Sequence, residues 1–234
     1  MPSRQRKPPL AAEDEALLKK VPLFAVVPPE IRAALIQAGR IKAFHKGAVV
    51  WRRGASPRFV YVILSGRIGL FDTMLAERSA VIDLFSPGSL AGSGYPLIDP
   101  PHLYLFSGKA LDDLKVMAIP IPVYSQLLRE SQSLLMGTAR NLLNAWQRLV
   151  SQMRDLKELS ADQRLACYLL ALTEKKSGTA TVQLTDDQAL IASLFGVTRE
   201  SLSRSFAHLR DQGVAKRGRS VVLSDIRSLR SFCR

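Results

Sequence analysis

The stretch from Leu184 to Gly213, LTDDQALIASLFGVTRESLSRSFAHLRDQG, decides how the chain around it must fold. Its apolar residues recur at helical spacing: Leu190, Ile191 and Leu194 in a first segment, then Leu202, Phe206 and Leu209 in a second. Thr185 followed three residues later by Gln188 has the form of a capping box, which predicts that the first helix starts there. Gly196 interrupts the pattern, Val197 fills the corner, and Thr198 offers an N-cap for a second helix. With the small Ala192 where two helices approach closely, the spacing predicts a helix-turn-helix.

The face left over carries the chemistry. Arg199, Glu200, Ser203 and Arg204 project away from the Leu202/Phe206/Leu209 stripe at the start of the second helix. A recognition helix presents its N-terminal residues to base edges in the major groove. Arginine can bond bidentately to guanine, and a carboxylate can accept from the amine of cytosine. The bland alternative is a solvated face with an ordinary i,i+4 Glu200–Arg204 pair. Behind a complete helix-turn-helix core, the DNA-binding reading prevails.

The 234 residues suffice for two domains, and 47% hydrophobic with 23% charged residues is the composition of a globular protein. A net charge of +13 suits a polyanionic partner. That charge does not locate the partner's site, because residues 185–234 hold nine Lys/Arg against five Asp/Glu, an excess of only four. No apolar run is long enough to span a bilayer. The N-terminal MPSRQRKPPLAAEDE is basic without the apolar stretch of a secretion signal, so residues 1–20 are read as a flexible arm and the protein as cytoplasmic. Cys167 lies among Leu165, Ala166, Leu169 and Leu170, where a buried thiol is the simple reading; its distance from Cys233 is not legible in sequence.

Outward from the helix-turn-helix, the chain changes texture three times. Residues 13–38 read as one or two short helices, with Pro28–Pro29 starting the last and Gly39 ending it. From Arg40 to about Pro120, apolar runs such as FVYVILSGRIGLF (59–71) alternate with glycines, and Ser65–Gly66 and Pro87–Gly88 mark turns. That pattern predicts an antiparallel β-roll over 21–125. LIDPPHLYLF is read as a rigid loop. Within 126–158, Leu135, Ala139, Leu142, Trp146, Leu149, Met153 and Leu156 step alternately by four and three, a seam for a two-fold dimer helix. The alternative is that this helix packs on its own roll. Residues 159–234 then hold a helix capped by Ser160, a short strand, the helix-turn-helix and a basic hairpin with Lys216, Arg217 and Arg219 around Gly218. A basic hairpin after a recognition helix is the wing of a winged helix, and its cations suit phosphates. Thr185, Thr198 and His208 are the other candidate phosphate contacts. The fold class is therefore α+β: an N-terminal β-roll, a long dimerisation helix and a C-terminal winged helix-turn-helix.

A glycine-punctuated roll, a long helix and a winged helix in this order resemble the CRP/FNR superfamily of transcription regulators. The likeness is most specific at GVTRESLSR (196–204) and FVYVILSGRIGLF (59–71). It implies a homodimer on a palindrome, with half-sites one DNA turn apart, and RNA polymerase as a further partner. Glu200, Ser203 and Arg204 match the E-x-x-S-R pattern of FNR-like members. That match implies a TTGAT-type half-site, with Arg204 on guanine, Glu200 on cytosine and Ser203 helping to select the outer thymine.

The departures from the family pattern bear on the signal. Cyclic-nucleotide binders of the family place a Glu soon after the Pro-Gly turn and an Arg-Ser pair further on. Here SLAGSGYPLIDPPHLYLFSGKA follows Pro87–Gly88, with no such Glu, with Ser107–Gly108 near the place of the pair, and with Lys109 as the nearby cation. Leu149–Val150 stand where the relatives carry adenine-reading hydroxyls. No cyclic-AMP binding is expected, nor an iron–sulfur cluster, since two cysteines cannot supply four thiolates. Haem remains open through His45, read as lying in an early strand, or through His102. The rival function keeps the sensor and discards specific DNA binding, leaving a ligand- or protein-binding module. No metalloprotease, hydrolase or phosphate-loop motif is present, so an enzyme is not expected.

Overall fold

A computed structural model describes residues 12–72, 81–97 and 102–233. The chain divides into two compact units, one of Met1–Thr73 with Ile82–Trp146 and one of Met74–Val81 with Gln147–Arg234. The first unit opens with three short helices, α1 (Ala12–Lys19), α2 (Pro22–Val26) and α3 (Pro29–Ala38). Proline in the first turn sets φ for α2 and α3, where the missing N–H costs nothing. The second half of the expected 1–20 arm is thus helical. Leu18 is buried and Asp14 pairs with Lys115, which fastens α1 to the roll; residues 1–11 lie outside the described residues.

Among the described residues eight strands follow: β1 (Arg40–Phe44), β2 (Val49–Trp51), β3 (Phe59–Ser65), β4 (Ile68–Phe71), β5 (Val81–Phe85), β6 (Leu90–Ala91), β7 (Ser107–Ala110) and β8 (Leu114–Pro120). They form two sheets, ordered β1-β8-β3-β6 and β2-β7-β4-β5. The antiparallel register runs from Arg40 opposite Ala118 to Phe44 opposite Leu114, and from Phe59 opposite Pro120 on the other side of β8. β3 explains its own unbroken apolar run. Val60, Val62 and Leu64 join a core shared with the helices, while Tyr61 and Ile63 join a second core. β8 alternates in the same way, Met117 and Ile119 to one core and Val116 and Ala118 to the other. Trp51 stacks on Tyr61 at 5.4 Å and on Tyr104 at 5.2 Å in the second core. Gly66 turns β3 into β4 at φ +72°, a conformation L side chains rarely adopt.

Helix α4 (Ile121–Glu130) is separated from α5 (Gln132–Glu158) by Ser131 alone. Ser131 is extended, and its Oγ accepts from the Leu134 N–H at 3.2 Å, so the long helix starts at Gln132 rather than 126. Leu134 and Thr138 of α5 are fully buried. Asn141, one turn further, donates to the Leu90 carbonyl at 3.2 Å and to Ser93 Oγ at 3.1 Å, and accepts from the Leu90 N–H. The face that packs on the roll is therefore the 134/138/141 stripe, one residue out of step with the seam.

The second unit holds α6 (Ala161–Ala171), β9 (Ala180–Gln183), α7 (Gln188–Leu194), α8 (Arg199–His208), β10 (Val214–Arg217), β11 (Ser220–Leu223) and α9 (Ile226–Phe232). Ser160 and Gln163 form a reciprocal capping box on α6. The sheet order β10-β11-β9 lays the hairpin beside the early strand. One core gathers Leu165 and Leu169 of α6, Ile191 of α7, Leu202 and Phe206 of α8, and Ile226 and Leu229 of α9.

Three local expectations are corrected. Asp187, not Thr185, caps α7: its Oδ1 accepts from the Leu190 N–H at 2.8 Å, which starts the helix two residues later. His45 lies after β1 rather than within it. β7 was not expected, because SGKA has no β-branched or aromatic residue; Gly108 sits there because a Cβ would collide with the Trp51 ring. The cap assignment predicts that Asp187→Ala costs about 1 kcal/mol in urea unfolding, while Thr185→Ala stays within about 0.5 kcal/mol of the parent.

Candidate nucleic-acid interface

The turn between α7 and α8 is built from backbone. Gly196 takes φ +64°, and the Val197 N–H reaches back to the Ala192 carbonyl at 3.0 Å, closing α7 with a Schellman bond. Two residues on, Thr198 caps α8 by accepting from the Ser201 N–H at 3.1 Å. Leu202, Phe206 and Leu209 are buried, which leaves Arg199, Glu200, Ser203 and Arg204 exposed on the opposite side. All four base-contact candidates are thus brought together on the first turns of α8.

Their electrostatics are mixed. Hydrogen bonding of the Glu200 carboxylate to its own backbone N–H, then to Thr198, with Arg199 and Arg204 nearby, holds it below the usual carboxylate range. Glu200 is therefore ionised at neutral pH and able only to accept, as a cytosine amine requires. Arg204 Nη2 makes one long contact, 3.4 Å to Ser201 Oγ, so its fork is otherwise uncommitted.

The candidate phosphate contacts separate into two groups. Arg217 and Arg219 flank Gly218 at the exposed tip of the β10–β11 hairpin, and Thr185 is exposed before α7. Lys216, by contrast, is half-buried with Nζ 5.0 Å over the Phe206 ring, so it joins the wing to α8. Thr198 uses its hydroxyl in the cap. His208 Nδ1 lies 3.0 Å from Asp162 Oδ2, which ties α8 to α6 and leaves Nε2 alone free for a phosphate. Asp162, Asp187 and the Lys216–Phe206 contact escaped sequence reasoning. Asp187 alone had a local signal, an Asp three residues before the apolar Leu190.

On α5 the seam is left bare. Leu142 is 36%, Trp146 60% and Met153 55% exposed, and Leu135, Ala139, Leu149 and Leu156 are exposed as well. A contiguous apolar stripe of this length on one helix calls for a partner surface.

In the roll, Ser107 is buried with its hydroxyl accepting from the Arg53 N–H at 3.1 Å, and the Trp51 ring covers Gly108. Lys109 Nζ is 5.2 Å from the centre of Phe71. His45 and His102 are both exposed. Among the described residues no group of three or more His, Cys, Asp or Glu is arranged to hold a metal ion, and no helix is long and apolar enough to cross a membrane.

Against known families, residues 41–131 match the cyclic nucleotide-binding domain and residues 163–232 the Crp-like helix-turn-helix domain. The chain is 27% identical to the cyclic AMP receptor protein of Thermus thermophilus, over 88% of this chain and 93% of that one. It is 26% identical to the nitrogen fixation regulation protein FixK of Bradyrhizobium diazoefficiens, over 75% and 73%. A CRP-family transcriptional regulator of Thermus thermophilus shares its fold with a TM-score of 0.65 at 23% identity, over 82% and 96% of the two chains. These relatives are regulators, not enzymes.

The two thiols prove to be neighbours. Cys233 Sγ donates towards the Gln163 carbonyl, and Cys167 Sγ towards the Cys233 carbonyl. Burial, then the neighbouring Cys167, pushes the Cys233 thiol up to about 12. Because the thiolate is the reactive form, native Cys233 is expected to resist a thiol reagent such as dithionitrobenzoate at pH 8. It should react at the rate of a free cysteine only after unfolding in guanidinium, as followed by release of the coloured thiol. Rapid reaction at Cys233 in a native Cys167→Ser chain contradicts this account.

Proposed function

We infer that this chain, which belongs to the CRP/FNR family of transcription regulators, acts as a homodimer that reads a TTGAT-type palindrome and couples it to a signal at the β-roll. One observation carries the reading: Arg199, Glu200, Ser203 and Arg204 share the exposed first turns of α8, with the wing's Arg217 and Arg219 free to meet phosphates. Side chains at the start of a recognition helix reach base edges, and wing cations fix the register. Arg204 takes the guanine, Glu200 the paired cytosine, and Ser203 the outer thymine. Thr185 and the N-cap residue Thr198 face the phosphate strand, while Lys216 supports the wing and His208 offers only Nε2.

The bare seam on α5 supports the dimer, since the roll is packed by the neighbouring stripe. The Asn141 bonds to Leu90 and Ser93 give α5 a direct link to the segment after Pro87–Gly88, and so a route by which the roll biases the helix. Cyclic AMP is not the effector in this reading. Ser107 and Gly108 offer no guanidinium, the Ser107 hydroxyl is engaged, and Leu149–Val150 have no hydroxyl for an adenine. At a promoter, RNA polymerase is the further partner.

The test is a gel shift with a TTGAT-N4-ATCAA duplex and a scrambled duplex at two salt concentrations. Arg204→Ala is expected to cost about 1–3 kcal/mol on the specific duplex and to relax selectivity at the guanine. Its binding to the scrambled duplex should stay nearly unchanged. Arg217→Ala is expected to weaken both duplexes alike and lower the salt slope by about one. Equal losses on both duplexes for Arg204→Ala contradict base reading by that residue.

A further inference from the structure

The seam on α5 fixes a heptad. Leu135, Leu142 and Leu149 stand at d, and Ala139, Trp146 and Met153 at a. The residues one place after d, the e positions, are then Met136, Leu143 and Val150. In two-stranded coils the e and g positions are often Glu or Lys. Here all three e positions are apolar, and Met136 is 58% and Leu143 51% exposed. The bare face is thus wider than two paired helices can cover.

The g side of the same helix is already taken. Thr138, at g, is fully buried, with its hydroxyl 2.7 Å from the Tyr124 hydroxyl. Just beyond it the chain after β6 lies along α5: Asn141 donates to Ser93 Oγ, and a Cβ on Gly94 would stand 3.5 Å from Leu142 Cδ2. The next residue, Tyr95, meets the Tyr104 ring edge-on at 5.0 Å, which draws the segment before β7 to the same place. These two segments carry Leu97, Leu103 and Leu105, all exposed, Leu105 to 66%.

We propose that these leucines pack on Met136 and Leu143 of a second copy of this chain, so that each roll covers the partner's e stripe as the two seams meet. In a parallel two-stranded coil each g position faces an e position in the partner's next heptad, which sets Thr138 beside the partner's Leu143. A two-fold axis along the helices keeps their levels matched, so the segment at Leu142 arrives at the level of the partner's Leu143. What the seam leaves over on one protomer and what the roll leaves over on the other are both apolar. Both lie at the same edge of the helix pair. The inference rests on the dimer proposed above and names a contact that the paired helices alone do not supply.

The test measures the dimer dissociation constant of the full chain by sedimentation equilibrium. It compares the parent with Leu143→Ala, with the triple variant Leu97→Ala/Leu103→Ala/Leu105→Ala, and with the two combined. Every position changed is exposed, so each variant should keep the parent's helical content. Leu143→Ala and the triple variant are each expected to weaken the dimer at least about tenfold, from apolar surface no longer buried. Combined, they should weaken it little more than either does alone, since each already removes the same contact. If the losses instead multiply, or if either variant dimerises like the parent, the contact is overturned while the dimer stands. A parent chain that stays monomeric overturns both.

Discussion

The structure depends on α5 carrying two stripes side by side, one packed and hydrogen-bonded to the roll and one apolar and bare. Leu134 and Thr138 are fully buried in the first unit, and Asn141 bonds to β6 and the residues after it. Leu135, Ala139 and Leu142 sit one residue further along, about 100° round the helix. A single helix face cannot pack on the roll and pair with a second helix at once. Offsetting the two sets by one residue lets the same helix do both, and ties the position of one contact to the other. In the proposed dimer, any shift that the roll imposes through Asn141 changes how the seam meets its partner.

The helix-turn-helix rests on an equally local constraint. Gly196 in the left-handed region allows α7 to end and α8 to begin within a few residues. Leu202 and Phe206 then lock α8 onto α6 and α7. With that face committed, the identity of the opposite side chains is free to serve another purpose. Glu200 hydrogen-bonds to the start of its own helix. In the proposed complex a cytosine amine competes with that cap for the carboxylate, so what the cytosine adds is reduced by the cap bonds given up.

Most of the fold was legible where periodicity and turn residues agreed. The α7–α8 turn, the wing, the terminal helix and the strands around Gly66 follow from apolar spacing and glycine alone. What escaped was either ambiguous locally or fixed from afar. Thr185, Asp186 and Asp187 each offer a capping oxygen, and spacing alone favoured the wrong one. LRESQSLL reads as unbroken helix, yet Ser131 ends one and starts another. Ser107–Ala110 becomes a strand because β4 and the Trp51 ring need it there, a demand written elsewhere in the chain. The exposed face at the start of α8 was readable residue by residue. The engagements of His208 with Asp162 and of Lys216 with Phe206 were not, since they join residues 46 apart in one case and separate elements in both.

The most direct measurement is the mass of the full chain in sedimentation equilibrium across micromolar concentrations. The account predicts a species of twice 25.8 kDa, reverting to 25.8 kDa when Leu142 and Leu149 are both replaced by Glu, with the helical content retained. A parent chain that stays at 25.8 kDa, with its α5 stripe still open to solvent, contradicts it.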